Sequence, residues 1–221
     1  MNGLDRPPAD VPASEIIESW LPRAFAAAPR RPPPDSPSLR VTLSGRGGGD
    51  WDLCATEEAL VVQRREPGPR HRPSPDSGRS HVDQGPEIWL RQTAVDFLAL
   101  FRDEADLPSL LPPDTDLMDL LCIDQGKIGH LAQIDGRIAF EIHGRRRRRW
   151  TVDVAFGPSG MSAGRPRSTV RVDSRTYEEL AAATLAPLQA LLVGRLQVEG
   201  DRALVMQVVA LVGSVRRDHA F

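Results

Sequence analysis

Cysteine is nearly absent from this chain. Cys54 and Cys122 are the only two, far apart in sequence, which excludes a disulfide framework and fits reduced thiols in a cytoplasmic protein. Lysine is scarcer still: Lys127 stands alone against abundant arginine, and with the abundance of alanine and proline this points to a GC-rich bacterial genome rather than to a function. Charge of one sign is missing too. The 28 basic and 30 acidic residues leave a net charge of −2, so no global field draws the chain to nucleic acid, and no specific nucleic-acid partner is expected. No stretch approaches the roughly 20 uninterrupted apolar residues of a membrane span. The start, MNGLDRPPADVPASE, lacks a basic opening followed by an apolar run, so no secretory signal is expected. These absences point to a soluble cytoplasmic protein.

Catalytic motifs are missing as well. There is no G-x-S-x-G, no P-loop and no G-x-G-x-x-G. His71, His81, His130, His143 and His219 do not stand at metal-ligand spacing with one another or with cysteine or carboxylate. No catalytic residue, metal or cofactor is assigned. Gly45-Arg-Gly-Gly-Gly49 joins two strand-like segments and reads as a hairpin turn rather than a phosphate cradle.

Hydrophobic periodicity divides what is there. Residues 1–13 are proline-rich and read as a disordered N-terminus. Ser14–Ala28 has helical spacing behind a possible Ser14 N-cap. Alternation predicts strands at Leu39–Leu43, Trp51–Ala55, Ala59–Gln63 and Ile88–Thr93, followed by a short helix at Val95–Phe101. Residues 64–86, almost all proline, glycine, serine and charge, read as a mobile loop. The second half repeats the order. Leu117–Gly136 reads as mostly helical, Arg137–His143 and Trp150–Phe156 as a hairpin, and Thr169–Val172 as a strand after a glycine-bounded turn.

The C-terminal tail is the richest stretch. A helix ends at Gly194; Leu196 and Val198 alternate with polar neighbours; Gly200-Asp201 supplies a turn and an N-cap; and Arg202–Val212 is apolar nearly all the way round. Such a helix is deeply buried or lines a cavity.

The order of polar strand, short acidic helix, apolar helix, G-[RK]-L-x-V-x-G-D and apolar helix resembles the C-terminal half of the sterol carrier protein type-2, or nonspecific lipid-transfer, family. The residues that carry the likeness are Arg148–Phe156, Ser168–Asp173, Tyr177-Glu-Glu-Leu180 and Gly194–Asp201, within roughly residues 117–213. The resemblance implies an α+β fold in which a twisted antiparallel sheet covered by helices encloses an apolar tunnel for a lipid or another greasy molecule.

Spacing suggests that the unit occurs twice. Gly45-x5-Trp51 and Gly144-x5-Trp150 each join an alternating strand to one that opens with tryptophan, and Trp89–Leu98 parallels Val170–Glu179. The expected organisation is two tandem sterol-carrier-like units, each a twisted antiparallel sheet covered by helices: a degenerate one over 14–113 and a fuller one over 114–215. The first lacks the Gly-Arg-Leu block and the last helix.

The candidate lining of an apolar site is Trp150, Leu188, Leu191, Leu192, Leu196, Val198, Leu204, Met206, Val208 and Leu211. Arg145, Arg146, Arg147, Arg148 and Arg149 read as a solvated hairpin tip or a weak contact with an anionic surface. Asp96, Asp173, Glu178 and Glu179 read as caps and dipole partners of short helices, the two cysteines as buried thiols, and Trp20, Trp51, Trp89 and Trp150 as core. The function this supports is a non-enzymatic carrier of a hydrophobic small molecule. Two alternatives stay open: an enzyme tailoring or isomerising a greasy metabolite, and a protein-interaction module docking through the first unit.

Overall fold

The structure, a computed structural model, describes residues 7, 10–27, 32, 36–66, 88–99, 101, 129–144, 148–161, 164–182 and 184–217, with side chains through 210. Most of the expected N-terminal tail, most of the 64–86 loop and residues 117–128 of the expected helix lie outside that set.

One eight-stranded sheet organises the chain. Its strands are β1 (Leu39–Ser44), β2 (Gly49–Ala55), β3 (Leu60–Arg64), β4 (Ile88–Thr93), β5 (Gly136–His143), β6 (Arg149–Phe156), β7 (Ser168–Asp173) and β8 (Gln197–Gly200). Their spatial order is β3-β2-β1-β4-β6-β5-β7-β8. The helices are α1 (Ala13–Glu15), running through a π-helical stretch Ile16–Trp20 into α2 (Leu21–Ala27), then α3 (Ala94–Ala99), α4 (Gly157–Met161), α5 (Ser174–Ala181), α6 (Pro187–Leu192) and α7 (Arg202–Arg217).

The α+β class holds, but the sheet differs from the expected pair of antiparallel sheets. It is continuous, and it contains two parallel pairs, β1 with β4 and β5 with β7. Each parallel pair closes a crossover from a hairpin, β1-β2 or β5-β6, because a strand that returns beside the first member in the same direction needs a long connection. β4 joins the halves: it runs parallel to β1 and antiparallel to β6.

Alternation along the strands puts one side chain in two on each face. Val41 stands opposite Leu90, Leu90 opposite Val154, and Val154 opposite Ile138, so these four share a face. Two apolar clusters lie side by side on it. The first gathers Ile16, Ile17, Phe25, Val41, Trp51, Leu53 and Phe97; the second gathers Ile138, Ile142, Trp150, Val170, Leu185, Leu196, Leu204 and Val205. β4 serves both, Leu90 packing on the first and Ile88 on the second.

The opposite face is largely polar, apart from a patch where Arg137, Ala139 and Ala155 are buried and the helical turn after β6 lies against Ala155. Arg40 pairs with Asp50 at 2.7 Å, Arg65 with Asp52 at 2.6 Å, and Arg171 with Glu141 at 3.0 Å. Two expectations are corrected by this alternation. Cys54 falls on the outward side of β2 and is exposed. Trp89 is not core: the guanidinium groups of Arg40 and Arg91 both lie over its ring, 4.6 and 4.8 Å from its centroid, and its Nε1–H donates to Thr42 Oγ1.

Other boundaries shift for local reasons. Gly45-Arg-Gly-Gly48 is the hairpin turn between β1 and β2, closed by Gly48 N–H donating to the Gly45 carbonyl. The helix expected to reach Gly136 stops earlier: residues 129–131 are helical, and Gly136 already opens β5. The glycine-bounded turn after β6 holds a helical turn, α4, whose Gly160 lies so close to the Gly136 carbonyl that a Cβ would sit 2.3 Å from its oxygen. Among the described residues no helix is long and apolar enough to cross a membrane.

Candidate functional site

At the β8 end of the sheet, α6, β8 and α7 face each other across open space beside α5, and each of the four is set by local chemistry. α5 begins at Asp173, whose Oδ1 accepts the Thr176 N–H at 2.9 Å and whose Oδ2 accepts the Thr176 hydroxyl at 2.7 Å. α6 starts with Pro187 in its first turn, where a missing N–H costs nothing. It ends at Gly194, whose φ of 73° lets the chain turn back so that the N–H groups of Arg195 and Leu196 both donate to the Ala190 carbonyl. β8 then lies along β7, with Val198 opposite Val170. α7 is capped by Asp201, whose Oδ1 accepts the Leu204 N–H at 3.1 Å.

Between α6, β8 and the first turns of α7 is a groove of about 560 Å³. It is lined by Leu191, Leu192, Gly194, Leu196, Gln197, Val198, Arg202, Val205 and Met206. Gln197 and Arg202 are its polar side chains; the rest of the lining is apolar.

The expected lining divides in two. Leu191, Leu192, Leu196, Val198 and Met206 line the groove. Trp150, Leu204 and Val208 are buried in the second cluster beneath it, Leu188 is 47% exposed on α6, and the Leu211 side chain lies outside the described residues. The missed residues are Gly194, Gln197, Arg202 and Val205. The signal for α7 was its period: Arg202, Val205 and Met206 stand at i, i+3 and i+4 and share a face, whereas Leu204 and Val208 share the adjacent face turned to the sheet.

Three arginine–carboxylate contacts tie the groove walls to the sheet and to α5. Arg195 Nη1 donates to Glu179 Oε2 at 2.5 Å and its Nε to Thr176 Oγ1 at 3.1 Å. Arg171 donates to Glu199 on β8 at 2.7 Å. Arg167 donates to Asp201 at the head of α7. The Arg195 hydrogen bond holds the Glu179 carboxyl below its ordinary range against a smaller opposing effect of burial. The Leu204 N–H does the same for Asp201, again against burial, with Arg167 adding to it. Arg195 and Glu179 were the informative residues that apolar patterning could not find. The signal for Arg195 was the charged position inside the Gly-Arg-Leu block, and that for Glu179 its place in Tyr177-Glu-Glu-Leu180.

The remaining expected residues fall elsewhere. Arg145, Arg146 and Arg147 lie outside the described residues. Arg148 stacks over Trp150 and lies 3.7 Å from Asp96, and Arg149 lies 3.9 Å from Glu141, so both engage groups of their own chain. Asp173 caps α5 as expected; Glu179 does not serve the helix dipole, because it stands in the last turn, and it is held by Arg195 instead. Asp96 does not cap α3: that role falls to Thr93, whose Oγ1 accepts the Asp96 N–H, while the Asp96 carboxylate reaches the Thr151 N–H on β6.

Comparison with known proteins locates this arrangement. Residues 118–213 match the family described as the SCP-2 sterol transfer family. Among solved structures, the chain is similar to sterol carrier protein 2 from Yarrowia lipolytica in its apo form, with 16% identity over 42% of this chain and 76% of that one, at a TM-score of 0.30. It is also similar to sterol carrier protein 2 like 2 from Aedes aegypti, with 19% identity over 42% and 95% and a TM-score of 0.27. A third is the sterol carrier protein domain 2 of Helicoverpa armigera, with 16% identity over 39% and 72% and a TM-score of 0.31. No curated protein matches the chain.

Proposed function

We propose that the chain, whose residues 118–213 match the SCP-2 sterol transfer family, is a non-enzymatic carrier that holds a lipid-like molecule in the groove between α6, β8 and α7. The observation that carries this reading is the position of the groove: an apolar space of about 560 Å³ inside the segment that matches the family. That volume is in the range of small-ligand sites, and removing apolar surface from water supplies the affinity. Gln197 and Arg202 at its wall give a polar or anionic head group somewhere to end.

The first half reads as a divergent copy that does not carry a ligand of its own. Val41 pairs with Leu90 as Phe140 pairs with Val170, each pair between the first strand of a hairpin and a parallel partner. Beyond β7 the second half places β8; beyond β4 the corresponding position is occupied by β6. That strand position is taken by the neighbouring half, which supports one ligand per chain. The compositional grounds for a bacterial cytoplasmic protein stand beside this reading.

Native mass spectrometry of the purified chain tests it. One bound apolar molecule per chain, displaced by a fluorescent fatty-acid analogue, is the expected result. A ligand-free chain that binds no fatty-acid or sterol analogue would overturn the carrier reading.

A further inference from the structure

α6 forms one wall of the groove, yet it is weakly held by its own packing. Among its residues only Ala190 is buried; Leu188 is 47% exposed and Leu192 is 78% exposed. A wall with so little apolar surface removed from water gains little from the hydrophobic effect. Leu185 and Leu196, buried on either side of it, anchor the flanking chain, and the polar contacts at its two ends meet one residue. On the approach to α6, the N–H groups of Thr184 and Leu185 donate to the Glu179 carbonyl at 3.0 and 3.1 Å, and the Thr184 hydroxyl donates to the same oxygen at 3.1 Å. On the exit, Arg195 donates to the Glu179 carboxylate. Arg195 stands between Gly194 and Leu196, both of which line the groove, and its own side chain points away from the groove to α5.

We infer that Glu179 staples both ends of α6, and that the Glu179–Arg195 pair is a latch that sets how fast the groove exchanges its ligand. The inference rests on the carrier reading for the identity of what is exchanged, but not for the motion itself. The frame suits a latch: the Thr184 and Leu185 contacts go to the Glu179 backbone carbonyl, not its carboxylate, and so persist when the ion pair opens. Gly194 supplies a residue whose backbone can rotate at the other end. α6 would swing about its N-terminal end when Arg195 releases. Leu191 and Leu192 would move with it, widening the groove while Leu196, buried in the second cluster, and β8 stay in place. Thr176 keeps the latch aligned, since its hydroxyl accepts from Arg195 Nε while donating to Asp173. Arg175, 3.4 Å from Glu179 and 85% exposed, is a second and looser cation on the same carboxylate.

The test uses the full chain with Arg195→Met, Arg195→Lys, and the reciprocal exchange Glu179→Arg with Arg195→Glu. Two measurements are made on each. Hydrogen exchange of the unliganded chain is expected to show, in Arg195→Met, several-fold faster exchange confined to residues 187–196, with β5 to β7 unchanged. Stopped-flow uptake and release of a fluorescent fatty-acid analogue is expected to show both rates raised several-fold while Kd moves little. Arg195→Lys keeps slow exchange, and the reciprocal exchange restores part of it. Unchanged protection of 187–196 in Arg195→Met overturns the latch. So does protection lost equally throughout the second half, which would make Arg195 a general stabiliser. If the unaltered chain binds no probe, the carrier reading fails, and hydrogen exchange alone decides the latch.

Discussion

Leu204 Cδ2 occupies the place where Gly136 would carry a side chain: a Cβ on Gly136 would lie 2.7 Å from it, with Arg167 Cδ at 3.3 Å. The contact joins the first residue of β5 to the first turns of α7, and it explains why α7 can lie so close to the sheet. Gly136 also has a φ of 152°, which side-chain-bearing residues rarely adopt. Gly136→Ala is therefore expected to cost about 1–3 kcal/mol by overpacking and strain. Urea unfolding would read this as a lower midpoint at unchanged slope. Adding Leu204→Ala should cost less in the Gly136→Ala background than in the unaltered chain; equal costs in both backgrounds would show that the two residues do not meet.

Trp51 is fully buried, and its Nε1–H donates to Glu18 Oε1 at 2.7 Å. Glu18 comes from the π-helical stretch between α1 and α2, so the bond ties the N-terminal helical segment to β2. Glu18→Leu removes the acceptor and leaves the indole N–H buried and unpaired, a loss of roughly 1–3 kcal/mol. Denaturation of the first cluster, followed by tryptophan fluorescence, measures it. A stability within error of the unaltered chain would show that the bond contributes nothing.

What was legible in the sequence was what alternation and capping encode. Val41, Leu43, Trp51 and Leu53 alternate so regularly that β1 and β2 follow from pattern alone, and Asp173 and Asp201 announce the helices they cap. The single sheet was not legible, because the partner of β4 across the joint, β6, is chosen by tertiary packing rather than by any local signal. Trp89 and Cys54 face outward because strand parity, not residue type, decides the side of the sheet a side chain takes. The groove was half legible: the tail has an excess of apolar surface, but Leu204 and Val208 stand on one face of α7 and Met206 on another, which composition does not separate.

The division of α7 into two faces separates binding from stability. Met206 is 39% exposed and lines the groove, whereas Leu204 is 3% exposed beneath it. Met206→Trp is expected to fill the groove and weaken probe binding by at least tenfold, with a change in unfolding free energy of less than about 0.5 kcal/mol. Leu204→Ala is expected to cost about 2–5 kcal/mol by leaving a cavity. Parallel titration and urea unfolding of the two variants check the division. Binding that survives in Met206→Trp would remove the groove as the site.

The caps and clasps around the groove predict an acid-sensitive second half. Glu179 and Asp201 are held below their ordinary values of 4.5 and 3.8, the first chiefly by Arg195 and the second chiefly by the Leu204 N–H. Asp173 is lowered too: burial opposes its ionisation, and the Thr176 N–H and hydroxyl outweigh it. A carboxyl whose folded value is depressed contributes stability that is fully present above its ordinary value and is lost as pH falls through the folded value. Stability should therefore be nearly flat from about pH 7 to pH 5.5 and fall below roughly pH 4.5, read as the urea midpoint of the second half. Asp201→Asn keeps a capping oxygen but removes the titrating charge. Its midpoint should be lower near neutrality and its acid-side fall shallower than that of the unaltered chain. An identical acid limb in Asp201→Asn would mean that the Asp201 carboxylate does not contribute to the pH dependence.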